Sequence, residues 1–160
     1  MNRKGDDMIR GVSFRITTKQ NWILKEILDN INVEKYNWYN VKSQKEAWHF
    51  VESREKEFLE NTHYQGIHFR NEINKMHYVV FLKLEAYCGM SDCYDLHTYE
   101  DFKKSECEIL FLLYDCEFIE VFAKEESVIQ NLYENAQKKQ FDDVEYITDI
   151  NDGRIILNVL

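Results

Sequence analysis

Ile109-Leu110-Phe111-Leu112-Leu113-Tyr114, then Asp115-Cys116-Glu117, then Phe118-Ile119-Glu120-Val121-Phe122 is the stretch that decides the fold. The first run is continuously apolar and far too short to span a bilayer, so it reads as a strand buried on both faces. The last run alternates apolar and polar, the period of a half-buried strand. The three polar residues between them make a turn, and the whole reads as a hairpin. A lone hairpin is at best marginally stable in water, so this one needs further strands and a covering layer.

Both are legible on either side. Downstream, Val128, Ile129, Leu132, Tyr133 and Ala136 recur at helical spacing, which predicts a helix over 124–140. Glu125 and Glu126 near its start and Lys138 and Lys139 at its end suit the helix dipole. Val144-Glu145-Tyr146-Ile147 and Ile155-Ile156-Leu157-Asn158-Val159 read as strands, with a tight turn at Asn151-Asp152-Gly153. Upstream, Thr98-Tyr99-Glu100-Asp101-Phe102 reads as a short helix, with Thr98 as cap and Asp101 three residues on, and Tyr78-Val79-Val80-Phe81-Leu82-Lys83-Leu84 as a buried strand.

Nearer the start, Val12-Ser13-Phe14-Arg15-Ile16 alternates as a strand, and Leu24, Ile27, Leu28 and Ile31 predict a helix over 19–30 behind Thr17 or Thr18 as cap. Tyr36 to Val41 is aromatic-rich and strand-like. Residues 43–61 carry two signals: Ala47, Phe50 and Val51 fit a helix face, whereas Trp48 and Phe50 alternate. The reading adopted is short antiparallel strands continuing a meander from Tyr36. Ile67, Phe69 and Ile73 suit a short helix. The expected fold is α+β: a mixed, mostly antiparallel sheet with two main helices, near 19–30 and 124–139, packed on it. Residues 1–8 read as a flexible tail and 9–160 as a single domain, which fits a chain of 160 residues.

With 44% apolar and 14% aromatic residues the chain has the composition of a folded protein. Its net charge of −9 argues against nucleic-acid binding and against docking on anionic membranes, both of which need a basic surface. The charge is uneven: Arg3, Lys4, Arg10, Arg15, Lys19 and Lys25 crowd the first 25 residues, and the rest is acidic. An acidic body attracts a basic partner and speeds the encounter. The polar start, Met1 to Arg10, lacks the apolar stretch of a secretory signal, so a cytoplasmic protein with free thiols is expected.

Catalytic signatures are scarce. The chain contains no GxGxxG, no GxxxxGK[ST], no HExxH and no CxxC. Asp149 to Asp152 starts like a calcium loop, but Gly153 falls fifth where the sixth is needed. Cys88, Cys93 and His97 form C-x4-C-x3-H, three metal-ligating types where zinc wants four, and small buried thiols compete with a metal site as their explanation. Cys107 and Cys116 flank an apolar strand and read as packing residues. Glu100-Asp101 and Asp142-Asp143 are adjacent pairs, which do not face each other on a helix or strand; a solvated surface explains them. Tyr36, Trp38, Tyr39 and Trp48 are the candidates for an exposed aromatic partner surface, with half-buried core as the plain alternative.

Several blocks recur in an order that resembles a known family: Arg10 to Ile16, Glu34 to Trp38, Thr98 to Phe102 with Ser105-Glu106-Cys107, Val144 to Asp149, and Asn151 to Arg154. The chain is similar over residues 9–159 to an uncharacterised family of small acidic single-domain proteins from low-GC spore-forming bacteria, known as a domain of unknown function. The resemblance carries over no catalytic residue, since none is established for the family, and no cofactor is expected. It loosely implies a role of the kind that neutralises secreted toxins. The functional expectation is a non-catalytic, cytoplasmic protein-binding module, in its sharpest form an immunity-type inhibitor of a basic partner. Its rival is an enzyme or small-molecule binder with a site of scattered Cys, His and acidic residues.

Overall fold

A computed structural model describes residues 8–51, 53–89 and 95–160, residue 51 by its backbone. In chain order the elements are β1 (Ile9–Arg15), α1 (Ile23–Ile27), β2 (Asn37–Asn40), β3 (Glu46–Val51), β4 (Arg54–Glu57), β5 (His63–Tyr64), α2 (Gly66–Ile73), β6 (His77–Tyr87), α3 (Tyr99–Lys104), β7 (Cys107–Tyr114), β8 (Phe118–Ala123), α4 (Glu126–Lys138) and β9 (Asp142–Thr148). The strands form one sheet in the order β4-β3-β6-β7-β8-β1-β9, and β2 and β5 join beside the far half of β6. Every ladder is antiparallel; the parallel contact among the described residues is an isolated bridge from Trp22 to His77.

The deciding hairpin forms as read. Tyr114 pairs with Phe118 across the turn, where Asp115 and Cys116 adopt positive φ of 52° and 66°. Residues 43–61 hold the expected short antiparallel strands, β3 and β4, but they do not extend a meander from β2. At 11 residues, β6 is long enough to take two partners in tandem on one edge: β3 along its first half and β2 along its second.

Helices α1, α2 and α4 lie against one face of the sheet. Leu24, Ile27, Phe69, Ile73, Ile129 and Leu132 meet Val12, Phe14, Phe111 and Val121 in the larger core. Of the two main helices expected, α4 forms as read. The other shrinks to the five residues of α1, although Leu24, Ile27, Leu28 and Ile31 are buried as the spacing requires. The reason lies in distant partners. Asn21 O accepts the His77 N–H at 2.8 Å, and His77 Nε2 accepts the Leu24 N–H at 3.2 Å, so the chain before Ile23 is held by β6. At the other end Asn135 Nδ2 of α4 donates to the carbonyls of Glu26 and Ile27, at 2.9 and 3.1 Å. Thr17 caps nothing; its hydroxyl donates to Asp142.

The second correction is at the C-terminus, where residues 155–159 form no strand. The turn expected at Asn151-Asp152-Gly153 forms two residues earlier, at 149–151, because Thr148 and Asn151 close it by reciprocal side chain–backbone bonds of 2.7 and 3.2 Å. The chain then crosses the other face of the sheet. Its backbone is satisfied off the ladder: the Leu157 N–H by His97 O at 2.7 Å, the Val159 N–H by Gln44 Oε1 at 2.8 Å, and the Asn158 carbonyl by Arg154 at 2.8 Å. Leu157 and Val159 thereby close a second, smaller core with Phe102 of α3, Tyr87, Leu110, Leu112 and Phe122. Of the tail read as 1–8, residues 1–7 lie outside the described residues; Met8 is tied by its N–H to Asp149 Oδ1 at 3.1 Å.

Candidate functional site

The face of the sheet opposite the main helices is covered only in part, by α3 and the C-terminal crossing. Strand register identifies what is left open. Ala47 pairs with Val79, and both point into the larger core. Their neighbours Trp48 and Tyr78, paired with each other, therefore share the opposite face, and so does Phe50, two residues on from Trp48. Leu82 pairs with Leu113, which sets Phe81 in one row with Tyr114; Tyr114 pairs with Phe118, and Phe118 with Arg15. The result is a band of six aromatics, Trp48, Phe50, Tyr78, Phe81, Tyr114 and Phe118. All are half-buried except Phe50, which is 53% exposed.

Acids frame this band. Glu55 and Glu57 stand opposite Phe50 and Trp48 on the β4 side. On the β9 side a concave groove of about 550 Å³ is lined by Ser13, Arg15, Tyr114, Phe118, Glu120, Asp143 and Glu145. Tyr114 and Phe118 stack within it, with centroids 5.3 Å and planes 15° apart. Two arginines lie on this stack. Arg15 sits 5.4 Å from the Phe118 ring and bonds Glu117 and Asp143, each at 3.1 Å. Arg154 sits 5.2 Å from the Tyr114 ring, with Nε 2.7 Å from Glu120 Oε2 and a second nitrogen on the same oxygen. Chemically, the surface pairs π faces with carboxylates, which suits guanidinium and ammonium groups.

A second constellation is internal. Lys83 and Glu85 are fully buried on β6, on the side of the smaller core. Lys83 Nζ donates to Asp95 Oδ1 at 2.6 Å and to the Leu96 carbonyl at 2.5 Å. Glu85 accepts from the Tyr87 hydroxyl at 2.8 Å and the Leu96 N–H at 2.9 Å. Burial raises the Glu85 carboxyl above its ordinary pKa, against the pull of those two donors and of Lys83. Burial, and then the charge of Glu85, pushes the Cys107 thiol up as well, so it carries none of the thiolate character a nucleophile needs. The cluster is a clamp: the chain itself supplies its partners, and it fastens residues 95 and 96 to the sheet.

A family profile described as "Protein of unknown function (DUF2691)" matches residues 9–158. The chain belongs to this family. It is also similar to "Uncharacterized protein YncE" of Bacillus subtilis (strain 168), at 31% identity over 156 residues, 95% of this chain and 100% of the relative. No solved structure matches. The five sequence blocks from Arg10 to Arg154 fall inside the matched span of the DUF2691 domain, and the B. subtilis relative agrees with a family of spore-forming bacteria.

Within this domain the candidate residues scatter. Tyr36 and Trp38 belong to the larger core, where Trp38 stacks on Phe69 at 4.3 Å and its Nε1–H donates to Val33 O at 2.9 Å. Tyr39 is half-buried against the smaller core. Of the four aromatics, Trp48 alone joins the open band. Asp101 and Thr98 bond reciprocally, each at 3.1 Å, in the capping box of α3, while Glu100 pairs with Lys103 at 3.4 Å. Cys88 is exposed, Cys93 lies outside the described residues, and the His97 carbonyl holds Leu157. Among the described residues no three His, Cys, Asp or Glu side chains are grouped so as to hold a metal. Sequence reasoning missed Tyr78, Phe81 and Tyr114 because they stand in continuous apolar runs, where no alternation marks a face, and Phe118 because it opens an alternating strand whose outer face Glu120 alone marks as polar. The alternation of Trp48 and Phe50 was the available signal. No helix among the described residues is long and apolar enough to cross a membrane.

Proposed function

We propose that this DUF2691 protein is a non-catalytic, cytoplasmic binding module that docks a basic protein on the open face of its sheet, in its sharpest form as an immunity-type inhibitor. The observation that supports this is the band from Trp48 to Phe118, aromatic along its length and bordered by Glu55, Glu57, Glu120, Asp143 and Glu145. Aromatic side chains anchor protein interfaces, and carboxylates around them steer a cationic partner and hold it by charge. The net charge of −9 adds long-range attraction of the same sign.

The test is a photo-crosslinking residue placed at Phe50 on the band and, as control, at Gln137 on the exposed side of α4, each expressed in the native host. The reading expects one basic protein captured at position 50 and not at 137. With that protein purified, affinity should fall as salt rises and should drop in Tyr114→Ala. Equal capture at both positions, or salt-independent binding, would rule the proposal out.

A small-molecule role has its support elsewhere, in a groove of about 360 Å³ where Arg10, Lys103 and Lys124, against the one carboxylate of Asp149, surround Tyr99 and Phe102 with a net positive charge suited to an anion.

A further inference from the structure

The groove on the open face already holds a ligand-like group, and it comes from the chain itself. Arg154 lies over Tyr114 and donates through two nitrogens to one oxygen of Glu120. Lying over a ring while donating through two nitrogens to one carboxylate is an arrangement that guanidinium makes and the single nitrogen of an ammonium cannot. Arg154 is also tied to its own segment, donating to the Ile156 and Asn158 carbonyls, and Asp152 before it pairs with Arg10 at 3.0 Å. Between β9 and the buried Leu157 the chain has no regular structure, and Ile150 and Ile155 are 75% and 84% exposed. Isoleucines this bare, one on each side of Arg154, mark a strap that turns apolar side chains to solvent. The anchors beyond it, Leu157 and Val159, belong to the smaller core and have N–H partners of their own in His97 O and Gln44 Oε1, so displacing Arg154 releases the Asn158 carbonyl between them and leaves both anchors bonded.

We infer that Glu120 and Tyr114 form an arginine-reading slot, filled by Arg154 in the free protein and by an arginine of the basic partner in the complex. The inference rests on the proposed docking of a basic protein and deepens it by naming the side chain that is read. Arg154 then acts as a built-in competitor. A partner arginine displaces it beside Ile155 and Ile156, which already stand exposed to contact the incoming chain, whereas a lysine at the same position lacks the second donor nitrogen and the planar group that displacement requires.

Nona-arginine and nona-lysine peptides test this by calorimetry at about 0.15 M salt, where distant charges are largely screened. Arg154→Lys is the main variant because it keeps the net charge while weakening the occupant. The full-length wild type should bind the two peptides about equally, because its own arginine holds the slot. Arg154→Lys should then favour nona-arginine by about tenfold, the scale of one charge-assisted, stacked contact. Arg154→Ala should show the same preference, and adding Glu120→Gln to Arg154→Lys should erase it. Equal binding of both peptides by every variant overturns the slot and leaves the basic-partner reading standing. No binding of either peptide by any variant overturns both. A preference that survives Glu120→Gln places arginine reading elsewhere and overturns the slot.

Discussion

The imidazole of His77 lies flat on the ring of Phe58, with centroids 4.2 Å and planes 4° apart. Its Nδ1 lies 2.7 Å from the Lys75 carbonyl and its Nε2 accepts the Leu24 N–H. Those contacts require the neutral ring with the proton on Nδ1, because a protonated Nε2 could not accept. Burial accordingly drives the His77 pKa from 6.5 down to about 4, with His49 lowering it further and the Lys75 carbonyl opposing.

Stability should therefore depend on pH through this ring. Between pH 6.5 and about 4 the unfolded chain takes up a proton that the folded chain refuses. The contribution is complete above pH 6.5 and is lost as pH falls towards 4, in total about 3 kcal/mol. Glu85 works in the opposite sense: its raised pKa gives a contribution that is full below the unfolded value of 4.5 and is lost as pH rises above it. Urea midpoints at about pH 7 and about pH 4.5 should separate the two. His77→Gln should lose less stability between them than the wild type, and Glu85→Gln should lose more.

The buried clamp should respond asymmetrically. Lys83 is 0% exposed in its side chain and Asp95 is 32% exposed. Asp95→Ala strands a buried ammonium and should cost about 3 kcal/mol or more. Lys83→Met leaves a carboxylate that water can reach and fills the space with apolar atoms, so it should cost clearly less. Denaturant unfolding of the two variants checks the order; equal losses would mean the pair is not held as described.

Gly66 opens α2 where the chain passes hard against the 3-10 turn Val33–Lys35. A Cβ there would lie 2.3 Å from Glu34 O and 2.5 Å from Glu34 Cα, both backbone atoms with little freedom to yield. Gly66→Ala should cost about 2 kcal/mol or more. At Gly89 an added Cβ meets nothing within 4 Å, and Gly89→Ala should stay within about 0.5 kcal/mol of wild type. Thermal melts of the pair decide it.

Much of this fold was legible because its signals are local. Thr98 and Asp101 bond each other three residues apart, the hairpin turns on Asp115 to Glu117, and α4 carries its whole apolar stripe within one helix. The failures share a different character. The helix over 19–30 stopped at Ile27 because His77 and Asn135, 53 and 108 residues away, claim its backbone. The strand over 155–159 failed because Gln44 and His97 offered its N–H groups other acceptors. The candidate site was the least legible part: Tyr36 and Trp38 look no different in sequence from Trp48, yet two are core and one is surface.

The sequence by itself determined the family, the α+β class, the hairpin, the capping box of α3 and the absence of the common catalytic motifs. Those follow from spacing and residue type over a few turns of chain. Tertiary structure alone decided which aromatics share the open face and which carboxylates border them. It also decided that Arg154 would lie on Tyr114. Each depends on strand register and on which distant group satisfies a buried N–H or carbonyl, and a one-residue shift in register would send every one of those side chains to the other face.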